Sequence, residues 1–109
     1  MSDKVKYWLD TADEDLTVAK YLLTGKKYLH AGFFMHLIVE KTLKAVVARV
    51  TSEMPPKIHD LAILAERAGL KDDLTDVQLQ LFKALNPLQI EARYPEYKER
   101  MAATLTHKK

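Results

Sequence analysis

The sequence of 109 residues contains no cysteine, and only three glycines and four prolines. Without cysteine the chain forms neither disulfides nor thiolate metal sites, which favours a reducing, cytoplasmic compartment. No run of about eighteen apolar residues occurs, so we predict neither a membrane span nor a membrane partner. With 48% hydrophobic and 29% charged residues, the composition is typical of a compact helical domain.

Two further absences narrow the classes of function. The formal net charge is only +2, which by itself is too small to indicate a nucleic-acid partner. No glycine-rich phosphate loop, Ser-His-Asp set or paired-carboxylate motif stands out. We therefore predict no cofactor and no bound metal.

The central element of the predicted fold is one long helix over residues 29–50. Its apolar residues recur at three- and four-residue steps, which indicates one broad buried face. The residues of this predicted face are Ala31, Phe34, Met35, Ile38, Val39, Thr42, Val46 and Val50. Phe33, Leu37 and Val47 lie off it and suggest a second covered surface. Phe33 and Leu37, with Tyr21, are our candidates for a face that pairs two copies.

Capping residues set the bounds of the first two helices. Ser2 or Asp3 is expected to cap a first helix that ends at Gly25. Val5, Trp8, Leu9, Ala12, Leu16, Ala19 and Leu23 form its predicted apolar stripe. The turn after Gly25 is short, so the first and second helices are predicted to be antiparallel.

The second half of the chain contains clear stop and start signals. Paired prolines at 55 and 56 end the second helix, and a third helix opens at His59 or Asp60 and closes at Gly69. A capping box of Thr75 and Gln78 starts the fourth helix, which Asn86-Pro87 breaks. Pro95 is expected to open a last helix. The predicted fold class is all-α, an up-and-down four-helix bundle with a short additional C-terminal helix, in one domain over residues 1–109.

Five short patterns follow one another along the chain. They are Trp8 with Ala12-x-x-Asp15-Leu16, then Tyr28-x-x-Ala31-x-Phe33, then His36-x-x-x-Glu40-Lys41-x-Leu43-Lys44-Ala45, then Pro56-x-x-His59-Asp60-Leu61-x-x-Leu64, and last Ile90-Glu91-Ala92-Arg93-Tyr94-Pro95. Taken in this order, they resemble the HEPN domain family. The resemblance implies a helical bundle that forms a homodimer and interacts with nucleotide or RNA. It also implies a partner, a minimal nucleotidyltransferase, with which such a protein forms a toxin and antitoxin pair.

The resemblance also raises an enzymatic alternative. Its RNase members carry an Arg-x4–6-His motif, whose groups from two subunits meet at a cleft of the dimer and cleave RNA without metal. Arg93 resembles the arginine, but Lys98, Glu99 and Arg100 occupy the positions of the histidine. Arg100 and His107 do have the required spacing and are the candidate catalytic pair. A second candidate catalytic pair is Arg93 with His36, so the sequence leaves open whether the protein is an enzyme.

The candidate ligand-binding residues are His36, Glu40, Lys44, Arg93 and Tyr94. The first three are each four residues apart and therefore stack along one edge of the second helix. An arginine beside an aromatic residue, just before a helix N-terminus, suits the binding of a phosphate or a base.

Four other interpretations stay open. His36 and Glu40 can form a structural hydrogen-bonded pair, or join His59 and Asp60 in a metal site. His59-Asp60 can equally be a helix cap. As a whole, the protein can be a purely structural dimeric module without a ligand.

Overall fold

A computed structural model of the chain describes residues 2–91. Its helices are α1 (Asp3–Thr24), α2 (Tyr28–Thr51), α3 (Leu61–Arg67), a short 3-10 helix (Lys71–Asp73), α4 (Asp76–Leu85) and α5 (Leu88–Glu91). This part of the chain has no strand, and the predicted all-α class is confirmed. The helix predicted to start at Pro95 lies outside the described residues. None of the described helices is long and apolar enough to cross a membrane.

Local capping chemistry explains where most helices begin. The Ser2 hydroxyl accepts a hydrogen bond from the Val5 amide at the start of α1. At the start of α4, the Thr75 hydroxyl accepts from the Gln78 amide while the Gln78 side chain accepts from the Thr75 amide. Both predicted caps are confirmed, because each satisfies backbone donors that have no partner within the first turn.

The turn between α1 and α2 differs from its prediction by one residue. Gly25 has φ −81°, whereas Lys26 has φ 59° and takes the left-handed position. The Lys27 amide donates to the Leu22 carbonyl and the Lys26 amide to the Leu23 carbonyl, which together form a Schellman motif. The chain therefore reverses at a lysine, although a glycine would adopt this conformation at lower cost.

Helix α2 lies at the centre of the fold and has core on two sides. One cluster joins α2 to α3 and α4 through Leu43, Leu61, Leu64, Ala65, Phe82 and Leu85. A smaller cluster joins α1 to α2 through Val5, Ala45 and Ala48, with Trp8 against it. Contact between the start of α1 and the end of α2 shows that these helices are antiparallel, as predicted.

The buried face of α2 was predicted wrongly in part. Val50 is 62% exposed, and Thr42 is exposed as well, whereas Val47 and Leu43 are buried. Met35 and Val39 do pack against the larger cluster. The error arises because α2 is apolar over most of its circumference, so its sequence alone does not identify which side its two neighbours cover.

The apolar stripe predicted for α1 is shifted in the same way. Leu9, Leu16 and Leu23 of α1 remain 37%, 40% and 41% exposed, while Asp15 is buried. Small residues explain α1, since Ala12, Ala19, Ala45 and Ala48 are nearly fully buried where α1 and α2 pack together. Close approach of two backbones favours alanine at the contact and leaves the leucines at its edge.

Candidate functional site

Four ionisable side chains converge beside α2, and we call His36, Glu40, Lys44 and His59 the polar cluster. Glu40 is its centre: Oε2 accepts a hydrogen bond from Lys44 Nζ at 3.0 Å, and Oε1 lies 3.0 Å from His59 Nδ1. Glu40 is 4% exposed and Lys44 6% exposed. The cluster therefore contains an ion pair that folding removes from water.

His36 is fully buried, with 0% exposure. Its Nε2 lies 2.8 Å from the backbone carbonyl oxygen of His59, and since a carbonyl only accepts, Nε2 carries the hydrogen. Its Nδ1 faces Glu40 Oε1 at 3.5 Å and has no hydrogen-bond partner among residues 2–91. Burial lowers the pKa of His36 below its ordinary 6.5, an effect that the charge of Glu40 opposes only in part. His36 is therefore neutral at pH 7.

Lys44 also connects the polar cluster to α1. Its ammonium lies 5.3 Å from the centre of the Trp8 ring, within the range of a cation–π interaction. An ion pair also joins α2 to α1: Lys41 Nζ lies 2.7 Å from Asp15 Oδ2. Charges on α2 thus fix the rotation of α1 against it.

The connector before α3 brings His59 to the polar cluster. Asp60 caps α3 by accepting hydrogen bonds from the Ala62 and Ile63 amides. The Asn86 side chain accepts from the Leu61 amide at 3.1 Å and lies 3.4 Å from Asp60 Oδ1. Because Asp60 and Asn86 hold the start of α3, the preceding His59 has a fixed backbone. The capping interpretation is confirmed for Asp60, whereas His59 points to Glu40.

The chemistry available to the polar cluster is proton transfer and hydrogen bonding. Only His59 of this cluster reaches solvent, its side chain being 43% exposed. Across residues 2–91, no group of three or more His, Asp or Glu side chains is arranged to hold a metal ion. An open cleft of about 700 Å³ lies elsewhere, between the start of α1 and the end of α2, and none of its described lining residues belongs to the polar cluster.

A comparison with known protein families gives a result that agrees with this helical architecture. The family model described as HEPN domain matches residues 5–108. The chain belongs to the HEPN domain family. No curated protein matches the chain, and no solved structure does. The family suggested by the sequence patterns is thus confirmed.

The structure brings together three of the residues that the sequence singled out in this HEPN domain. His36, Glu40 and Lys44 do lie along one line of α2, but this line faces the interior. All three side chains are buried, and their role in binding stays a prediction. Arg93 and Tyr94, and the pair Arg100 and His107, lie outside the described residues, so those assignments stay predictions.

The sequence did not predict two of the contacts around the polar cluster, and it suggested one hydrogen bond that residues 2–91 of the structure do not contain. The contact of Trp8 with Lys44 joins different helices, and Asn86 meets Asp60 across 26 positions of the chain; helical spacing predicts neither. Within the described residues the suggested His36–Glu40 hydrogen bond is absent, and His59 takes the place at Glu40. The pattern Pro56-x-x-His59-Asp60 contains this histidine, but from the sequence a helix cap is the simpler explanation for it.

Proposed function

We propose that this HEPN domain is a nucleotide- or RNA-binding module. Its membership in the family carries the proposal, and the exposed imidazole of His59 beside a buried carboxylate adds a polar contact point for such a ligand. Arg93 and Tyr94 are the proposed phosphate and base contacts, since guanidinium groups bind phosphate in a forked geometry and aromatic rings stack on bases.

Binding is tested by fluorescence anisotropy with a labelled RNA oligonucleotide of mixed sequence and by thermal unfolding with added nucleotides. Ligand at about 100 times its Kd stabilises the folded state by about 2.7 kcal/mol, which raises the Tm of a domain this size by roughly 10 °C. Arg93→Ala is expected to weaken binding, while Arg67→Ala, which removes an exposed arginine of α3, leaves it unchanged. Absence of any binding to RNA and nucleotides would refute the proposal.

We propose further that the domain works as a homodimer. An apolar edge supports this assembly: Leu9 and Leu16 of α1 and Ile38 of α2 line an open groove of about 440 Å³. Leu9, Leu16 and Leu23 recur every seven residues, a spacing typical of a seam between helices. A second copy that packs its α1 on this edge would cover all three leucines.

Light scattering after size-exclusion chromatography measures the assembly. Leu16→Glu is expected to give monomers, because it places a charge in the proposed seam. Thr17→Glu is the control, since Thr17 is the next residue and does not line this groove. Tyr21→Glu tests the alternative face predicted from the sequence, as Tyr21 is 76% exposed. A wild-type monomer at high concentration would contradict the dimer itself.

The proposed protein partner is a minimal nucleotidyltransferase, for which this chain would be the toxin-type half. Expression of the chain alone is then expected to slow growth, and co-expression of a nucleotidyltransferase encoded beside it to restore growth. Unimpaired growth at high expression of the folded protein would argue against the toxin role and leave the binding proposal untouched.

A further inference from the structure

The turn between α1 and α2 carries positive charge without negative charge along the adjoining chain. No aspartate or glutamate occurs between residues 16 and 39. Lys20, Lys26 and Lys27 lie within this stretch, and all three side chains are exposed. None of them forms an ion pair with any of residues 2–91. The positive charge of this end of the helix pair is therefore open to a binding partner.

Two tyrosines lie beside these lysines in the chain. Tyr21 is 76% exposed and Tyr28 is 66% exposed. Within residues 2–91 neither ring takes part in an aromatic contact. A tyrosine combines a large apolar ring with a polar hydroxyl group, and tyrosines are enriched where proteins bind one another. We call Lys20, Tyr21, Lys26, Lys27 and Tyr28 the basic turn.

Part of the basic turn borders a groove on α1. The groove is open, has a volume of about 380 Å³ and is lined by Thr17, Lys20, Tyr21 and Thr24. The hydroxyl groups of Thr17 and Thr24 donate to the backbone carbonyls of Asp13 and Lys20. The polar hydrogens that these four side chains still offer a ligand therefore belong to Lys20 and Tyr21. Both suit acceptor groups such as carboxylates.

The backbone under these side chains is fixed by local hydrogen bonds. The amides of residues 25–27 each donate to a carbonyl of residues 21–23, at 2.8–3.0 Å. The turn is thus part of the helix end and not a loose connection. A surface whose backbone is already ordered loses less conformational entropy when a partner binds.

The charges and rings together determine which partner fits. A symmetric contact with a second copy would place the same three lysines of both chains against one another, and like charges repel. Three lysines would neutralise only about three phosphates, whereas a nucleic-acid backbone contact commonly involves about 6–10. A protein segment with carboxylates and apolar side chains complements the lysines as well as the tyrosine rings.

We propose that the basic turn docks an acidic segment of a partner protein, in which carboxylates alternate with apolar side chains. The carboxylates pair with Lys20, Lys26 and Lys27, and the apolar side chains lie on the rings of Tyr21 and Tyr28. This interaction requires neither RNA nor nucleotide and is independent of the proposed function.

Fluorescence anisotropy tests the proposal with a short labelled peptide in which pairs of glutamates alternate with single leucines. The peptide is expected to bind the wild-type protein and to bind less tightly as salt is added, because exposed charges are screened. In the triple variant Lys20→Gln, Lys26→Gln and Lys27→Gln, the affinity is expected to fall about 10-fold. Thermal unfolding should show that this variant is folded, since all three side chains are exposed.

A second triple variant is the matched control. Lys57→Gln, Lys71→Gln and Lys83→Gln also removes three exposed lysines, none of which forms an ion pair with residues 2–91. The two variants therefore have the same net charge. The control is expected to bind the peptide as the wild type does. An equal loss of affinity in both variants would show a response to net charge alone and overturn the proposal.

The role of the rings has its own test. Tyr21→Ser combined with Tyr28→Ser is expected to weaken binding of the peptide about 10-fold. A peptide with serine in place of leucine should bind the wild type more weakly than the original does. Equal affinity of the two peptides would overturn the apolar part of the proposed contact.

Two further outcomes decide what the surface binds. Absence of peptide binding to the wild-type protein at low salt would overturn the proposal and leave the nucleotide- or RNA-binding function untouched. If a mixed-sequence RNA oligonucleotide binds instead, and loses affinity in the variant of Lys20, Lys26 and Lys27 but not in the control, the surface belongs to nucleic acid and the acidic partner is excluded.

Discussion

The ion pair between Lys44 and Glu40 provides the sharpest test of the fold. The two side chains are 8% and 5% exposed and their charged atoms are 3.0 Å apart. Removing one partner of such a pair leaves a charge buried without compensation and costs about 3–5 kcal/mol. We therefore expect Lys44→Met to reduce the free energy of unfolding by about 3 kcal/mol, since methionine still packs on the Trp8 ring.

A double-mutant cycle isolates the electrostatic part of this effect. In Glu40→Gln the buried ammonium of Lys44 loses its countercharge, so this single variant is expected to lose a similar amount. In the double variant, the new glutamine amide faces an apolar side chain and neither charge remains. We expect its loss to be smaller than the sum of the two single losses by about 1–3 kcal/mol.

Urea unfolding is the appropriate assay, because Trp8 is the single tryptophan of the chain and its fluorescence reports directly on the site. Far-UV circular dichroism should give the same midpoint if unfolding is two-state. Lys6→Met is the control: Lys6 and Asp10 form a pair with the same four-residue spacing, but their side chains are 65% and 60% exposed, so the midpoint should scarcely move. Strictly additive losses in the cycle, or a Lys44→Met midpoint equal to wild type, would refute the reasoning.

Three further predictions follow from local geometry. Burial lowers the pKa of His36, so below pH 6.5 the unfolded chain binds a proton there that the folded chain excludes. The contribution of His36 to the free energy of unfolding is therefore complete above pH 6.5. It falls between pH 6.5 and the lowered pKa by up to about 1.4 kcal/mol per pH unit. Urea midpoints measured from pH 7.5 downward should fall less steeply in His36→Gln, and equal slopes would exclude His36 as the titrating group. Lys26→Gly should raise the free energy of unfolding by about 0.5–1 kcal/mol because Lys26 has φ 59°, whereas Lys27→Gly should lower it; thermal unfolding compares the two. A Cβ on Gly32 would lie 2.6 Å from Leu88 Cδ1, so Gly32→Val should cost about 1–3 kcal/mol, and a full cost that persists in the Leu88→Ala background would contradict this explanation.

The bounds of the helices were predictable because their causes are local. Ser2, the Thr75 and Gln78 box, and Gly69 with φ 77° each satisfy or redirect a backbone within a few residues. Such signals are read from neighbouring positions alone. The observed ends of α1 and α4 accordingly agree closely with the sequence-based expectation.

The buried faces were less predictable because they depend on which helices meet. Periodicity placed Leu16 inside and treated the line of His36, Glu40 and Lys44 as an edge, yet Leu16 is 40% exposed and Glu40 only 4%. His59, which contacts the second carboxylate oxygen of the buried Glu40, is 19 positions away in the sequence. A helical wheel contains no information about such a partner.

The same contacts that stabilise the fold also set the orientation of His59, so stability and the proposed binding cannot be separated at Glu40 or Lys44. A loss of binding in Glu40→Gln would accompany a loss of folding free energy, and it would say little about ligand contacts. His59 differs because one ring nitrogen lies on the buried carboxylate while 43% of the side chain is exposed. An asparagine at this position can keep the contact with Glu40 and removes the second ring nitrogen. It is therefore the substitution at which a structural role and a binding role predict opposite results.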